Sequence, residues 1–186
     1  MNSQTAFYVA QGISIITAIL SVILMQLKSM RKILVFQIIV NTTTLLNYFL
    51  LGGDTGVLVS VLAIIQSVVM FGYNRRNVKP HMAVIVAFVL AYAACSAYNI
   101  SVTGELIELL PALAAICFSL SLVQQNPFAF RVCYLLNPLL WAGYDLYTRS
   151  YVLFFVHIGI LISVVVAMIR VDDILKLKKR HDNTTK

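Results

Sequence analysis

Acidic side chains are almost missing from this sequence. Seven Asp and Glu stand in 186 residues against fourteen Lys and Arg, and only 11% of the chain is charged. Soluble domains carry roughly a quarter charged residues, so this composition does not supply a water-facing surface. The same scarcity excludes paired carboxylates at mid-span. The three cysteines, Cys95, Cys117 and Cys133, fall in apolar stretches at no ligand spacing and read as packed free thiols, so neither a metal nor a cofactor is expected. Gly-x-Ser-x-Gly, His-Glu-x-x-His and a phosphate-binding glycine loop are all missing. Ser29-x-x-Lys32 matches a nucleophile pattern by letter, in a basic loop without its companion motifs. No enzyme is expected. Strict apolar–polar alternation is also missing, since stretches such as Ala83 to Ala94 are apolar on all sides; this excludes a membrane barrel. No basic segment precedes the first apolar run, so no cleavable signal peptide is expected.

What the chain has is hydrocarbon. Hydrophobic residues make up 60% of it and its mean hydropathy is +0.89. A helix crossing about 30 Å of lipid needs about 20 apolar residues, and a few less where the bilayer thins. Spans are expected at 6–27, 33–52, 56–73, 82–98, 105–124, 128–147 and 150–170, leaving no room for a soluble domain. Threaded in order, thirteen of the fourteen basic residues fall on one side. They are Lys28, Arg31 and Lys32, then Arg75, Arg76 and Lys79, then Arg131, then six from Arg170 to Lys186. Arg149 is the exception, four residues after Asp145 and so at ion-pair spacing. By the positive-inside rule the basic side is cytoplasmic and the N-terminus outside. The net charge of +7 is then a topology signal and a contact with anionic headgroups, most of all in the basic tail 171–186, with no nucleic-acid partner implied.

An offset of 96 residues aligns the second and third spans with the sixth and seventh. Seven of 29 ungapped pairs match, among them Asn41/Asn137, Tyr48/Tyr144 and Ser67/Ser163. Ala63-x-x-x-Ser67 and Gly159-x-x-x-Ser163 place small residues where two backbones could approach closely. A three-helix unit crosses an odd number of times, so a same-facing copy needs one helix between. The expected architecture is therefore an all-α integral membrane protein of seven spans in a 3+1+3 parallel repeat. Residues 1–80 form the first unit, 81–99 the linker helix, 100–170 the second unit and 171–186 the tail.

That plan resembles the SWEET and PQ-loop transporters, whose triple-helix bundles enclose a solute path. Their Pro-Gln pair appears here as Met25-Gln26 and Val123-Gln124, with the proline replaced. Over nearly the whole chain the sequence resembles the YgjV family of bacterial inner-membrane proteins. Ala10-Gln11-Gly12, Phe49-Leu50-Leu51-Gly52, Glu108-Leu109-Leu110-Pro111 and Ile169-Arg170 carry that likeness. It implies an inner-membrane location and brings no activity or functional residues with it.

Polar groups are costly in lipid, so those within spans face the bundle interior. Gln37, Asn41, Thr44 and Tyr48 share one face of the second span at intervals of four, three and four. Cys133, Asn137, Leu140 and Tyr144 form the equivalent stripe in the sixth, with Trp141 beside it. Asn41 and Asn137 at matching depth, with Gln37, Thr44, Gln66 and Trp141, are the candidate contacts for a small polar solute, because transporters place sites at repeat interfaces. The alternative role for these amides is interhelical hydrogen bonding. Pro138 frees a backbone carbonyl and permits a kink beside Asn137. His157 is the candidate for proton coupling, its alternative being a neutral imidazole bonded to a neighbouring helix. Glu108 stands at the outer mouth of any pathway, where simple solvation is the competing role. The leading expectation is a carrier; a non-transporting membrane module of the same fold, acting as sorting receptor or assembly partner, is the alternative. A lumen lined by Asn41, Asn137 and His157 favours the first, and a dry core in which they bond one another favours the second. Self-association is left open.

Overall fold

The computed structural model describes residues 3–51, 54–147 and 151–170. These are helical throughout, with no strand among the described residues. The helices are α1 (Ser3–Gln26), α2 (Met30–Leu51), α3 (Asp54–Arg75), α4 (Met82–Thr103), α5 (Leu109–Val123), α6 (Pro127–Tyr134), α7 (Leu136–Tyr147) and α8 (Tyr151–Arg170). Five of them are long and apolar enough to cross a membrane. Large apolar side chains stand exposed on every long helix, including Ile15, Phe49, Leu58, Leu90 and Phe155. An outer surface of that kind suits lipid.

The fifth and sixth spans differ from expectation. Residues 105–124 do not form one helix. Gly104 ends α4 in the left-handed conformation, φ 72°, with its amide bonded to Ile100 O at 2.8 Å, as a helix C-cap requires. A 3-10 turn, Leu106–Glu108, follows, and α5 is only 15 residues long. Pro111 lies in the first turn of α5, where its missing amide costs nothing. The sixth span is broken at Leu135 into α6 and α7. The cause is Pro138: its absent N–H would have bonded Tyr134 O, and its ring crowds that same carbonyl. The start of α6 is well made, with Pro127 at the first helical position and Asn126 Oδ1 accepting from Phe128 N at 2.8 Å.

Short connections make successive packed helices antiparallel. α1 packs on α2, α2 on α3, α3 on α5, α5 on α7, α7 on α8 and α8 back on α1, closing a ring. α4 braces the outside, against α3 and α5. One end of the ring, the N-terminal face, holds the start of α1, the end of α7 and the start of α8. The other, the basic face, holds the α1–α2 and α3–α4 connections with their Lys and Arg. Leu24 and Met25 (α1), Ile33 and Leu34 (α2), Met70 (α3), Leu122 (α5), and Phe130 and Tyr134 (α6) are the part of the apolar core that lies towards the basic face, and the same core continues through Val40, Ala63, Phe118, Ile160 and Val164. Phe130 and Tyr134 stack at 5.5 Å within this plug.

Arg131 is not with the other basic residues at the headgroup level. It is 0% exposed, the largest side chain wholly removed from the surface. Its Nε donates to Met25 O at 2.8 Å, and a terminal nitrogen donates to Leu27 O. Those carbonyls belong to the last turn of α1, which lacks amide partners and carries the negative end of the helix dipole. A second expectation also fails. A methyl group placed at Gly159 would meet nothing within 4 Å, so α8 makes no close backbone approach there. The tail 171–186 and Arg149 lie outside the described residues.

Candidate functional site

Hydrogen bonds join each pair of helices in the ring. Between α1 and α2, Asn47 Nδ2 donates to Ser14 Oγ and Thr17 Oγ1 to Thr43 Oγ1, both at 2.8 Å. Within α2, Gln37 Nε2 donates to Asn41 Oδ1 at 3.2 Å, and from α2 to α3 Asn41 Nδ2 donates to Ser67 Oγ, also at 3.2 Å. Ser67 passes its own proton to Ala63 O at 2.7 Å. Gln66 collects α4 and α5 onto α3: its Oε1 accepts from the Tyr92 hydroxyl at 3.2 Å and from Ser119 Oγ at 3.3 Å. Asn137 Nδ2 donates to Ala114 O at 2.8 Å, tying α7 to α5. The ring closes where Gln26 Nε2 donates to Ser163 O and Oγ at 3.1 and 3.0 Å and Ser163 Oγ donates to Val22 O.

The repeated asparagines and serines are thus all buried but not used alike. Asn41 reaches a side chain on the third helix of its unit, Asn137 a backbone carbonyl on the first helix of its own. Ser67 bonds within its helix, Ser163 across to α1. Thr44 turns its hydroxyl back to Val40 O at 2.9 Å and joins no other helix. Gln26 and Gln124, equivalent in sequence, also diverge: Gln124 donates to Leu120 O of its own helix.

Two buried amides keep unused bonding capacity. Gln37 Oε1 and Gln66 Nε2 have no partner, although Gln66 is 0% exposed. Asn47 Oδ1 is likewise unpartnered. Buried polar atoms are nearly always satisfied.

Towards the N-terminal face lies the one buried carboxylate–imidazole pair among the described residues. Asp145 Oδ2 of α7 sits 2.6 Å from His157 Nδ1 of α8, with the side chains 4% and 20% exposed. Trp141, one turn before Asp145, stacks on the imidazole at 6.0 Å and 14°, and Tyr144 meets Trp141 edge-on. Trp141 and His157 are therefore brought together, and both lie away from Asn41 and Gln66. Asp145 escaped notice as a site residue because its spacing to Arg149 offered a nearer partner in sequence. The hydrogen-bonded partner lies twelve positions away, visible only once α7 and α8 pack. The Glu108 side chain is outside the described residues.

The comparison with protein families settles where such a bundle belongs. A family model described as Imp-YgjV, bacterial inner membrane protein, matches residues 8–174, nearly the whole chain. The chain belongs to this family. Comparison with curated proteins and with solved structures finds no match. The Imp-YgjV chain is thus a bacterial inner membrane protein of several membrane-spanning helices.

Two cavities in the Imp-YgjV chain lie away from its mid-depth asparagines. An open groove of about 360 Å³ between α3 and α4 is lined by Leu62, Ala83, Val84, Ala87, Phe88 and Ala91. A small cavity of about 10 Å³ lies near Tyr73 and Gln124 at the basic face. Neither is lined by Asn41, Asn137 or His157.

Proposed function

We propose that this Imp-YgjV protein is a carrier for a small polar solute, arranged as 3+1+3 parallel repeats with its N-terminus outside and its basic face in the cytoplasm. The observation that carries the reading is the pair of buried, unpartnered amide atoms, Gln37 Oε1 and Gln66 Nε2, on neighbouring helices. An acceptor and a donor held without partners in a low-dielectric core each cost free energy. A solute with its own donor and acceptor recovers that cost on binding. The hydrogen-bond chain from Gln37 runs through Asn41 to Ser67, the residue next to Gln66 on α3, and ends at Ala63 O. The uneven packing supports the same reading: the apolar plug at the basic face serves as a closed inner gate, and the polar pair at the opposite face lies on the entry side. Alternating access would then open the plug as the N-terminal face closes.

The test is uptake of a panel of sugars, vitamins and small acids into proteoliposomes. Asn41→Leu, Asn137→Leu and Gln66→Leu should each lower uptake of the true solute at least tenfold, about 1.4 kcal/mol of binding. A solute whose uptake survives all three sinks the site. A second reading, a non-transporting module, is favoured by one specific observation: Asn41 and Asn137 are both bonded to neighbouring helices. No uptake across the panel decides for it.

A further inference from the structure

We infer that Asp145 and His157 form a proton-binding site that couples this carrier to the proton; the coupling rests on the carrier reading, and the proton site itself does not. Asp145, near the end of α7 and 4% exposed, is a carboxylate held out of water, which costs free energy unless it is paired. The geometry here is specific. Asp145 accepts from Nδ1 at 2.6 Å, which fixes the tautomer with its proton on Nδ1 and leaves the lone pair on Nε2. Nε2 has no hydrogen-bond partner among the described residues, and the imidazole is 20% exposed while Asp145 is 4% exposed. The proton therefore has one point of entry. Water at the N-terminal face delivers it to Nε2, the other proton stays on Nδ1, hydrogen-bonded to the Asp145 carboxylate, and no other bond changes.

The charge follows directly. Protonation raises the charge of this pair by one, so its two forms differ in the charge they present to a medium of low dielectric constant. Proton and solute travel together from the N-terminal face. The Trp141 ring stacked on His157 adds attraction for the imidazolium.

Other ionisable groups surround the pair. Tyr48 of α2 is within electrostatic reach of Asp145, and α7 itself carries Tyr144 and Tyr147. α8 adds Tyr151, and α1 carries Tyr8 at this face. The 3-10 turn against α7 is preceded by Glu105 and contains Glu108. Arg149, outside the described residues, follows α7. In the half near the basic face, α5 contributes Cys117, and α6 Arg131, Cys133 and Tyr134.

The test uses the full chain in lipid nanodiscs with ¹⁵N-histidine. His81 and His181 are the other two histidines, and His157→Gln assigns the signal. His157 should show a neutral form protonated on Nδ1 and give way to imidazolium as the sample is acidified. Asp145→Asn should lower its proton affinity about tenfold or more. An imidazole that never takes up the second proton, or a proton affinity unmoved by Asp145→Asn, overturns the proton site. Coupling is read with a pH dye trapped in proteoliposomes and the uncharged members of the solute panel. Uptake should acidify the lumen in wild type and not in His157→Gln. Uptake without acidification in wild type overturns the coupling and leaves the carrier standing. No uptake of any solute removes the carrier and the coupling with it, while the nanodisc titration still decides the proton site.

Discussion

Arg131 shows how far a single residue can depart from the pattern that seems to explain it. It matches the other basic residues in sidedness, yet it is buried against the last carbonyls of α1. Hydrogen bonds from a charged donor are each worth about 1.5–3 kcal/mol, and removing the donor leaves the carbonyls orphaned. Arg131→Ala should therefore destabilise the fold by about 3 kcal/mol, read as reversible unfolding in detergent micelles. Arg131→Lys should recover only part, because one ammonium cannot match the planar fork. The amide bonds at mid-depth are a contrast. Interhelical hydrogen bonds in membranes average about 0.6 kcal/mol, so Ser67→Ala should cost under about 1 kcal/mol in the same assay. A loss comparable to that of Arg131→Ala would show that the Asn41–Ser67 contact is a keystone of the fold.

Individual helices were legible from apolar run length wherever the run was uniform. α1 to α4 and α8 lie close to their expected spans, because each is a long stretch without an internal breaker. The fifth and sixth were not, for a local reason in each. Gly104 and the 3-10 turn shorten α5, and run length alone is blind to backbone conformation. Pro138 announced a kink, but the break appears at Leu135, a turn earlier, where the lost hydrogen bond and the ring clash act. Pro138→Ala should restore the amide to Tyr134 O and fuse α6 with α7. Hydrogen exchange at residues 138–139 should then slow at least tenfold; unchanged exchange would assign the break to packing against α5 and α8. The site was partly legible for the same kind of reason. Gln37, Asn41 and Tyr48 could be placed on one face by spacing within one helix. The Asp145–His157 contact depends on two helices meeting, and no spacing rule reaches across that gap.

At the scale of the whole molecule, the ring arrangement follows from short connections that keep chain neighbours together, with α8 returning to α1. Asn41 and Asn137, which match in the sequence, have different partners because different helices lie beside them. Orientation is open to direct measurement. An impermeant maleimide added to intact cells should label Glu105→Cys and leave Arg76→Cys unlabelled, with the reverse in inside-out vesicles. Labelling of Arg76→Cys from outside would invert the topology and with it the direction of any proton flow.

The buried Arg131 has one more consequence. A guanidinium keeps its charge at every pH a cell meets, whereas an imidazole changes state within that range. The rivet that joins α6 to α1 is thus held by a group of fixed charge, and the clasp that joins α7 to α8 by one whose charge can change, so the two ends of the ring are fastened by different chemistry.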